Sequence, residues 1–192
     1  SVADIEANGS AVLTSASSLA SANLTGSVPS SAMPAGSVLQ VVQYTTDGGA
    51  TYAANDYVEM LNGAITPSSV SNKILIMYQV GTGESGRQPM SARLRRDTTV
   101  VGSNTATGGT SRMGNMASAA NGAFSLQHQM QVMVGHILDS PSTTSAITYR
   151  LDVSPRNDDG TKTWRLGQVW SEQSSGYSMP VKTTLTLMEI AG

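Results

Sequence analysis

The chain has 192 residues, no cysteine and few charges. Without thiols it forms no disulfide, no thiolate metal site and no cysteine nucleophile. Only 12% of the residues are charged, and the net charge of −2 provides no basic face for nucleic acid. The clearest apolar run, Ile74–Tyr78, is far too short to cross a bilayer. We therefore expect neither nucleic-acid binding nor membrane insertion.

Lysine and arginine are absent before Lys73, so the front of the chain is mildly acidic and the rest mildly basic. Glycine, serine and threonine are abundant throughout. Small, β-compatible residues with sparse charge are more typical of an all-β surface protein than of a metabolic enzyme. No residue pattern indicates a catalytic, cofactor or metal site, and we expect a protein that is not an enzyme.

The first 35 residues differ in composition from the rest, because 17 of them are serine or alanine. Such a segment buries too little apolar surface to order itself alone. Its larger apolar residues fit neither the helical nor the strand period. The segment is interpreted either as an extended assembly arm or as a disordered linker. In the first case its candidate contacts are Val12, Leu13, Leu19, Leu24 and Val28.

After Met33-Pro34-Ala35-Gly36, which suits a hinge, strand patterns recur with turn residues between them. The predicted strands are 38–44, 57–65, 73–80, 90–97, 113–116, 125–138, 146–154, 163–169 and 182–190. Asn157–Gly160 is typical of a hairpin loop between the strands on either side of it. Residues 36–192 are therefore predicted to form an all-β, jelly-roll-like antiparallel sandwich, preceded by the extended N-terminal arm.

Two predicted strands alternate clearly. In 184–190, Leu185 and Leu187 share one face, which predicts a strand of the core sheet. In 125–138, one face carries His128, Met130, Val132, Val134, His136 and Leu138, and the other is rich in glutamine and only partly apolar. We expect one side of this strand to meet solvent or a neighbouring chain.

Arg93 and Arg95 share a face of the predicted strand 90–97, with Ala92 and Leu94 facing inward. Such charges are expensive to bury unless they are paired. They are candidate assembly contacts to acids of an adjacent subunit, or else an exposed patch that contacts sugar or phosphate. We favour the first interpretation.

Residues 170–177 form a polar segment with an aromatic residue at each end, a composition typical of adaptable contact surfaces. Its candidate receptor contacts are Trp170, Glu172, Gln173 and Tyr177. Aromatic side chains stack on sugars, although core packing explains a tryptophan equally well.

Other motifs favour structural explanations. Gly81–Gly86 matches G-x-G-x-x-G, but a strand-like run follows it instead of the helix that a dinucleotide site requires, so it is interpreted as a loop. His128 and His136 lie too far apart along one strand to bind the same metal ion within a subunit. Paired acids of a glycoside hydrolase remain an alternative that sequence alone leaves open.

Several segments together resemble bacteriophage tail fibres. Leu13–Pro29 is similar to low-complexity fibre shafts, and Pro34–Gln43 is similar to the entry into a β-rich terminal domain of aquatic phage fibres. The same resemblance continues through later segments, which are Ile65–Ile76, Leu138–Ser145 with Tyr149, and Leu185–Gly192.

This resemblance implies a virion surface protein made in the cytoplasm of a bacterial host, usually a homotrimer with a jelly-roll-like domain. The first hypothesis is a short tail fibre or spike that binds a host-surface glycan. The second is a capsid decoration (cement) protein whose arm anchors it to the major capsid protein. The third is a polysaccharide depolymerase. The implied partners are copies of itself, other tail or capsid proteins and the host glycan, with no cofactor.

Overall fold

A computed structural model describes residues 6–7, 10–11, 32–84, 90–102, 116–118, 130–155, 161–170 and 180–192. The chain divides into two units, Ser1–Ala32 and Met33–Gly192. In the first unit, strand β1 (Glu6–Ala7) pairs antiparallel with β2 (Ser10–Ala11). No helix in the described ranges is long and apolar enough to span a membrane.

The regular secondary structure of the described part of the second unit is almost entirely β-strand, as the sequence predicts. Its strands are β3 (Val38–Thr46), β4 (Thr51–Ala54), β5 (Val58–Ile65), β6 (Lys73–Glu84), β7 (Met90–Arg96), β8 (Thr99–Val101), β9 (Met116–Ser118), β10 (Gln131–Asp139), β11 (Ile147–Pro155), β12 (Lys162–Leu166) and β13 (Thr183–Ile190).

These strands form two antiparallel sheets. In the first sheet, β3, β13, β6 and β10 lie side by side in that order. Strand β12 pairs with the last three residues of β6, Thr82–Glu84, and β4 pairs with β12. In the second sheet the order is β5, β11, β7 and then β8, with β9 also paired to β7. The first sheet thus alternates early and late strands, and so does the second. This is the strand order of a jelly roll, which confirms the predicted fold class.

The core lies between the inner faces of the two sheets. Leu185 and Leu187 of β13 are fully buried, as the alternation predicts, and so are Ala92 and Leu94 of β7. Trp164 is the largest fully buried side chain and stacks on Tyr52, with ring centroids 4.7 Å apart. Burying the aliphatic side chains contributes about 1.5–3 kcal/mol each, which is why strict alternation selects the inner face.

Strand β10 shows which side of the alternating segment 125–138 faces outward. Met133 is buried, whereas Val132, Val134 and Leu138 are exposed. The face of aliphatic residues and histidine therefore points away from the core. Gly135 on the inner face lies against the ring of Tyr78 on β6, and a Cβ at this glycine would approach the ring to 2.6 Å. The bulky tyrosine fills the space that a larger side chain on β10 would take.

Three expectations are corrected. Strands β4 and β8 were not predicted, because each is short and stabilised by its partner strand more than by its own pattern. Gly81–Gly86 is not wholly a loop, since β6 continues to Glu84. Gly83 allows this, because a Cβ there would collide with the backbone of Gln168 and Trp170. The hairpin around Asn157–Gly160 is also wrong, because β11 and β12 belong to different sheets.

The second unit has two distinct ends. At the entry end, Gly36 donates to the Ala191 carbonyl, Ala191 donates to the Ser37 carbonyl, and Ile190 pairs with Lys73 at the start of β6. At the opposite end, called the loop end, β6 finishes beside Trp164. Twelve strand residues separate the two ends. At about 3.3 Å per residue, β6 spans roughly 36–40 Å between them.

Candidate functional site

The outer face of the second sheet carries a network of charged side chains, called the charge network. Its members come from three adjacent strands: Glu59 and Asn62 of β5, Arg150 and Asp152 of β11, and Arg93 and Arg95 of β7. Cross-strand register places Asp152 between Glu59 and Arg93, and Arg150 between Asn62 and Arg95. Two acids therefore lie in one cross-strand row and two arginines in the next, so most ion pairs form diagonally between the rows.

Asp152 is the centre of the charge network, and its side chain is only 1% exposed. Arg95 donates from Nε to Oδ2 at 2.6 Å and from Nη2 to Oδ1 at 2.8 Å, a bidentate geometry. Arg93 donates from Nε to Oδ2 at 2.9 Å. Two guanidinium groups thus cover a carboxylate that would otherwise be open to solvent on the outer face.

Glu59 forms the second acidic centre. Its carboxylate accepts hydrogen bonds from Arg150 at 2.7 Å, from Asn62 at 2.7 Å and from Arg95 at 3.3 Å. Partial burial raises the pKa of Glu59, but hydrogen bonds from Arg150 and Asn62 and the charges of Arg150 and Arg95 outweigh it and hold the pKa below 4.5. The hydrogen bond to Asp152 is the main reason that the pKa of Arg95 is raised.

An aromatic residue extends the charge network. The guanidinium carbon of Arg93 lies 4.0 Å from the ring centroid of Tyr57, within the range of a cation–π interaction. The Tyr57 hydroxyl is 2.9 Å from Ser91 Oγ. Polar groups on this face are therefore largely paired within the chain.

The expected source of the acids near Arg93 and Arg95 is corrected. We predicted carboxylates of an adjacent subunit, whereas the structure supplies Asp152 and Glu59 from the same chain. Asp152 follows Arg95 by 57 residues, so only the pairing of β11 with β7 brings them together. Alternation of the sequence gives no signal for this pairing.

The outer face of the first sheet is different in character. Register aligns Leu138 of β10, Leu75 of β6, Met188 of β13 and Val41 of β3 in one row across four strands, called the apolar row. Val38 and Ile190 are paired beside it. Leu138 is 54% exposed and Val41 is 53% exposed. A contiguous apolar patch of this kind marks an interaction surface more often than scattered exposed residues do.

A shallow depression adjoins the apolar row towards the loop end. It has a volume of about 570 Å³, and Met77, Val134, His136 and Thr186 are among its lining residues. Gln43 donates to the Thr186 hydroxyl at 2.9 Å beside it. The depression is open, and its mixture of methyl, hydroxyl and imidazole groups suits contact with another surface better than enclosure of a small molecule.

Trp170 lies at the loop end and is partly exposed. The guanidinium carbon of Arg165 is 5.8 Å from its ring centroid. The backbone around Trp170 is held close to β6 because Gly83 has no side chain there. An aromatic ring and a cation side by side present both a stacking surface and hydrogen-bond donors, a combination suited to a polar ligand.

The other predicted contacts lie outside the described residues. These are Glu172, Gln173 and Tyr177 of the receptor set, and Val12, Leu13, Leu19, Leu24 and Val28 of the arm. His128 also lies outside them, whereas His136 is on the exposed face of β10. Within the described ranges, no three histidine or acidic side chains converge as a metal site would require.

A buried carboxylate at the entry end was missed by the sequence analysis. Glu189 of β13 is 1% exposed and accepts hydrogen bonds from Ser68, Asn72 and Gln40. Burial raises the pKa of Glu189, but these hydrogen bonds outweigh it and keep the pKa below 4.5. The carboxylate fastens the last strand to the connection between β5 and β6. Its alternation with Leu185 and Leu187 was the signal that it points inward.

Solved structures of one virus are among those similar to this chain. No family model matches the chain, and no curated protein matches it. Among solved structures, that of infectious bursal disease virus, Gt strain, is similar with a TM-score of 0.42 and 12% identity, covering 80% of this chain. VP2 protein of the same virus in derived T=1 particles gives a TM-score of 0.41 and 12% identity over 81% of this chain.

The present chain spans only 38% and 37% of those two viral chains. Both similarities concern the fold, at 12% identity and low TM-scores of 0.42 and 0.41. The jelly-roll assignment therefore rests on the strand order of the chain itself.

Proposed function

We propose that the protein is a structural surface protein of a bacteriophage virion, a homotrimeric short fibre or spike that binds a host-surface glycan. The observation that carries the proposal is the jelly-roll strand order in a chain whose segments resemble phage fibres. Jelly rolls serve both as viral structural domains and as lectins, and either use fits a particle-surface protein. Because a fold alone does not define a function, the proposal also depends on how the two ends differ.

The two ends support a division between attachment and contact. The N-terminal segment joins the second unit at the entry end, where Gly36 and Ser37 bond to Ala191. Trp170 and Arg165 lie at the loop end, roughly 36–40 Å away along β6. In the proposed fibre, residues 1–35 attach to the particle, and the loop end points outward to the host.

Location in the particle tests the first part of the proposal. Purified phage particles are probed with gold-labelled antibody against residues 36–192 and viewed by electron microscopy. We expect label at the tail. Absence of the protein from the particle would overturn the virion proposal.

Glycan binding tests the second part. The purified trimer is applied to host cells and to a glycan array, and Trp170→Ala is compared with the wild type. We expect Trp170→Ala to weaken binding by about 1–3 kcal/mol, the loss measured when an aromatic ring that stacks on a nucleobase is removed. The control is Val70→Ala, which truncates an exposed side chain in the connection between β5 and β6, at the entry end, and should leave binding unchanged. Equal loss in both variants would contradict a site at the loop end.

Capsid decoration is the second candidate, favoured by the use of jelly rolls in viral capsids. In that case the gold label lies on the shell, and deletion of residues 1–33 abolishes occupancy. We propose binding without turnover in either role. Depolymerisation of host polysaccharide by the purified chain would contradict that and favour the third hypothesis.

A further inference from the structure

We infer that the outer face of the first sheet is the surface through which copies of this chain associate, with the apolar row of each copy packed against the same face of the others. The inference rests on the homotrimer in the proposed function and names the surface that forms it. It is supported by the exposure and register of the apolar side chains on this face and by the scarcity of charged side chains there.

The register makes the apolar row continuous. Leu138 pairs with Leu75, Leu75 with Met188, and Met188 with Val41, so four side chains lie on one line perpendicular to the strands. Cross-strand neighbours of this kind are in contact or nearly so. The orientation of β10 adds to the exposed apolar surface, because its aliphatic face points outward. If the glutamine-rich face pointed outward instead, the surface would be better solvated by water.

The size of the row is that of a functional patch. Full burial of one such aliphatic side chain removes roughly 60–120 Å² from water, by the usual relation between transfer energy and area. On the whole outer face six apolar side chains are 44–54% exposed, so together they leave roughly 180–360 Å² of apolar surface in water; they are Val38, Val41, Met77, Val132, Val134 and Leu138. Patches of about 300 Å² or more on a single chain are often interaction sites.

The scarcity of charged side chains indicates which partner covers the outer face of the first sheet. On the four aligned strands, the outward positions from Thr45 to Val38 and from Val134 to Leu138 include only two titratable side chains, Lys73 and His136. An anionic membrane surface requires a basic rim, which this face lacks. A strongly charged protein partner would find no complementary charge. An identical face carries the same apolar side chains and only the same two titratable groups, so a second copy requires neither a basic rim nor a complementary charge.

Two positions at opposite ends of the row allow a sharp test. Leu138→Lys and Val41→Lys place a cation where copies meet, and both native side chains are half exposed, so each variant should still fold. Val70→Lys is the matched control, since Val70 is 60% exposed but lies in the connection between β5 and β6. Sedimentation equilibrium of the full chain gives the association constant. We expect the two row variants to weaken association roughly 100-fold or more, and the control to leave it unchanged.

Thiol labelling provides a second measurement, which does not require the folded protein to tolerate a new charge in the apolar row. The chain has no cysteine, so Leu138→Cys and Val70→Cys each introduce a single thiol. In the associated protein, we expect maleimide to react with Leu138→Cys at least about tenfold more slowly than with Val70→Cys, because the row is covered.

Each outcome bears on a different claim. Unchanged association in both lysine variants with rapid labelling of Leu138→Cys would overturn the inference and leave a trimer of another geometry. Labelling that slows only inside phage particles would also overturn it, because another virion protein would then cover the row. Normal association by this face in a protein missing from the particle would overturn the proposed function alone. A monomeric wild type would overturn the inference and the proposed trimer together.

Discussion

Replacing Glu189 by glutamine tests how the C-terminal strand is fastened. Oε1 of Glu189 accepts from the Ser68 amide at 2.6 Å, the Ser68 hydroxyl at 2.8 Å and Asn72 Nδ2 at 2.6 Å. Oε2 accepts from Gln40 Nε2 at 2.6 Å. All four donors are neutral groups, and both oxygens of the Glu189 carboxylate act as acceptors. A glutamine keeps the shape and supplies only one acceptor.

The expected loss follows from that geometry. With the glutamine oxygen at the position of Oε1, its NH₂ group faces the NH₂ group of Gln40, and two donors meet in a buried site. A hydrogen bond to a charged group is worth about 1.5–3 kcal/mol, and an unsatisfied buried donor costs about 1–3 kcal/mol. Relaxation of the partly exposed Gln40 offsets some of this. We expect Glu189→Gln to lower the free energy of unfolding by about 2–4 kcal/mol.

The pH dependence provides an independent check. Because the folded state holds the pKa of Glu189 below 4.5, its ionised form stabilises the fold fully above that pH. The stabilisation is lost as the pH falls through the lowered pKa, because the unfolded chain then binds more protons. Glu59 has the same sign of shift and adds to the effect. Glu189→Gln should remove its own part of this dependence and leave that of Glu59.

Urea unfolding at fixed protein concentration measures both quantities, with pH varied from about 7 to about 3. Fixed concentration is needed because association adds to apparent stability. Asp47→Asn is the control, since Asp47 forms an ion pair of 3.0 Å with Lys182 in which both side chains are largely exposed, and it should change little. An equal effect of the two substitutions, or an unchanged acid dependence in Glu189→Gln, would refute the reasoning.

Two further substitutions are measured in the same way. Asp152→Ala leaves Arg93 and Arg95 without their shared carboxylate and should lower the free energy of unfolding by about 2–4 kcal/mol. This is less than for a fully buried pair, because the guanidinium groups reach solvent. No loss would mean that the charge network does not stabilise the fold. Gly135→Ala forces a methyl group against the Tyr78 ring and should cost about 1–3 kcal/mol, whereas a neutral result would show that the ring moves aside freely.

Sequence alone predicted the fold class because local alternation reflects a global arrangement. Leu185 and Leu187, or Ala92 and Leu94, repeat every second residue, and burial of one sheet face requires that period. Turn residues between such segments then limit the number and length of strands. These signals are enough to predict a sandwich and to predict which face of its central strands points inward.

Partners along the sheet were not predictable in the same way. The hairpin expected around Asn157–Gly160 failed because a turn sequence does not reveal whether the chain returns to the same sheet or crosses to the other. The charge network was missed for a related reason, since Asp152 reaches Arg95 only through the pairing of β11 with β7. The orientation of β10 depends on Tyr78 filling the space beside Gly135, a contact between strands far apart in the chain.

The two outer faces of the sandwich bear differently on assembly. On the second sheet, Asp152 and Glu59 already satisfy the guanidinium groups, so a partner that buries this face must remove water from ion pairs and gains little. On the first sheet, the apolar row from Leu138 to Val41 has no such compensation within the chain, and covering it releases water from aliphatic surface. Association through the first sheet therefore leaves the charge network of every copy facing outward. The charge network contains three arginines and two acids, so its net charge is positive. Copies that met through the second sheet would therefore bring like net charges together and repel one another.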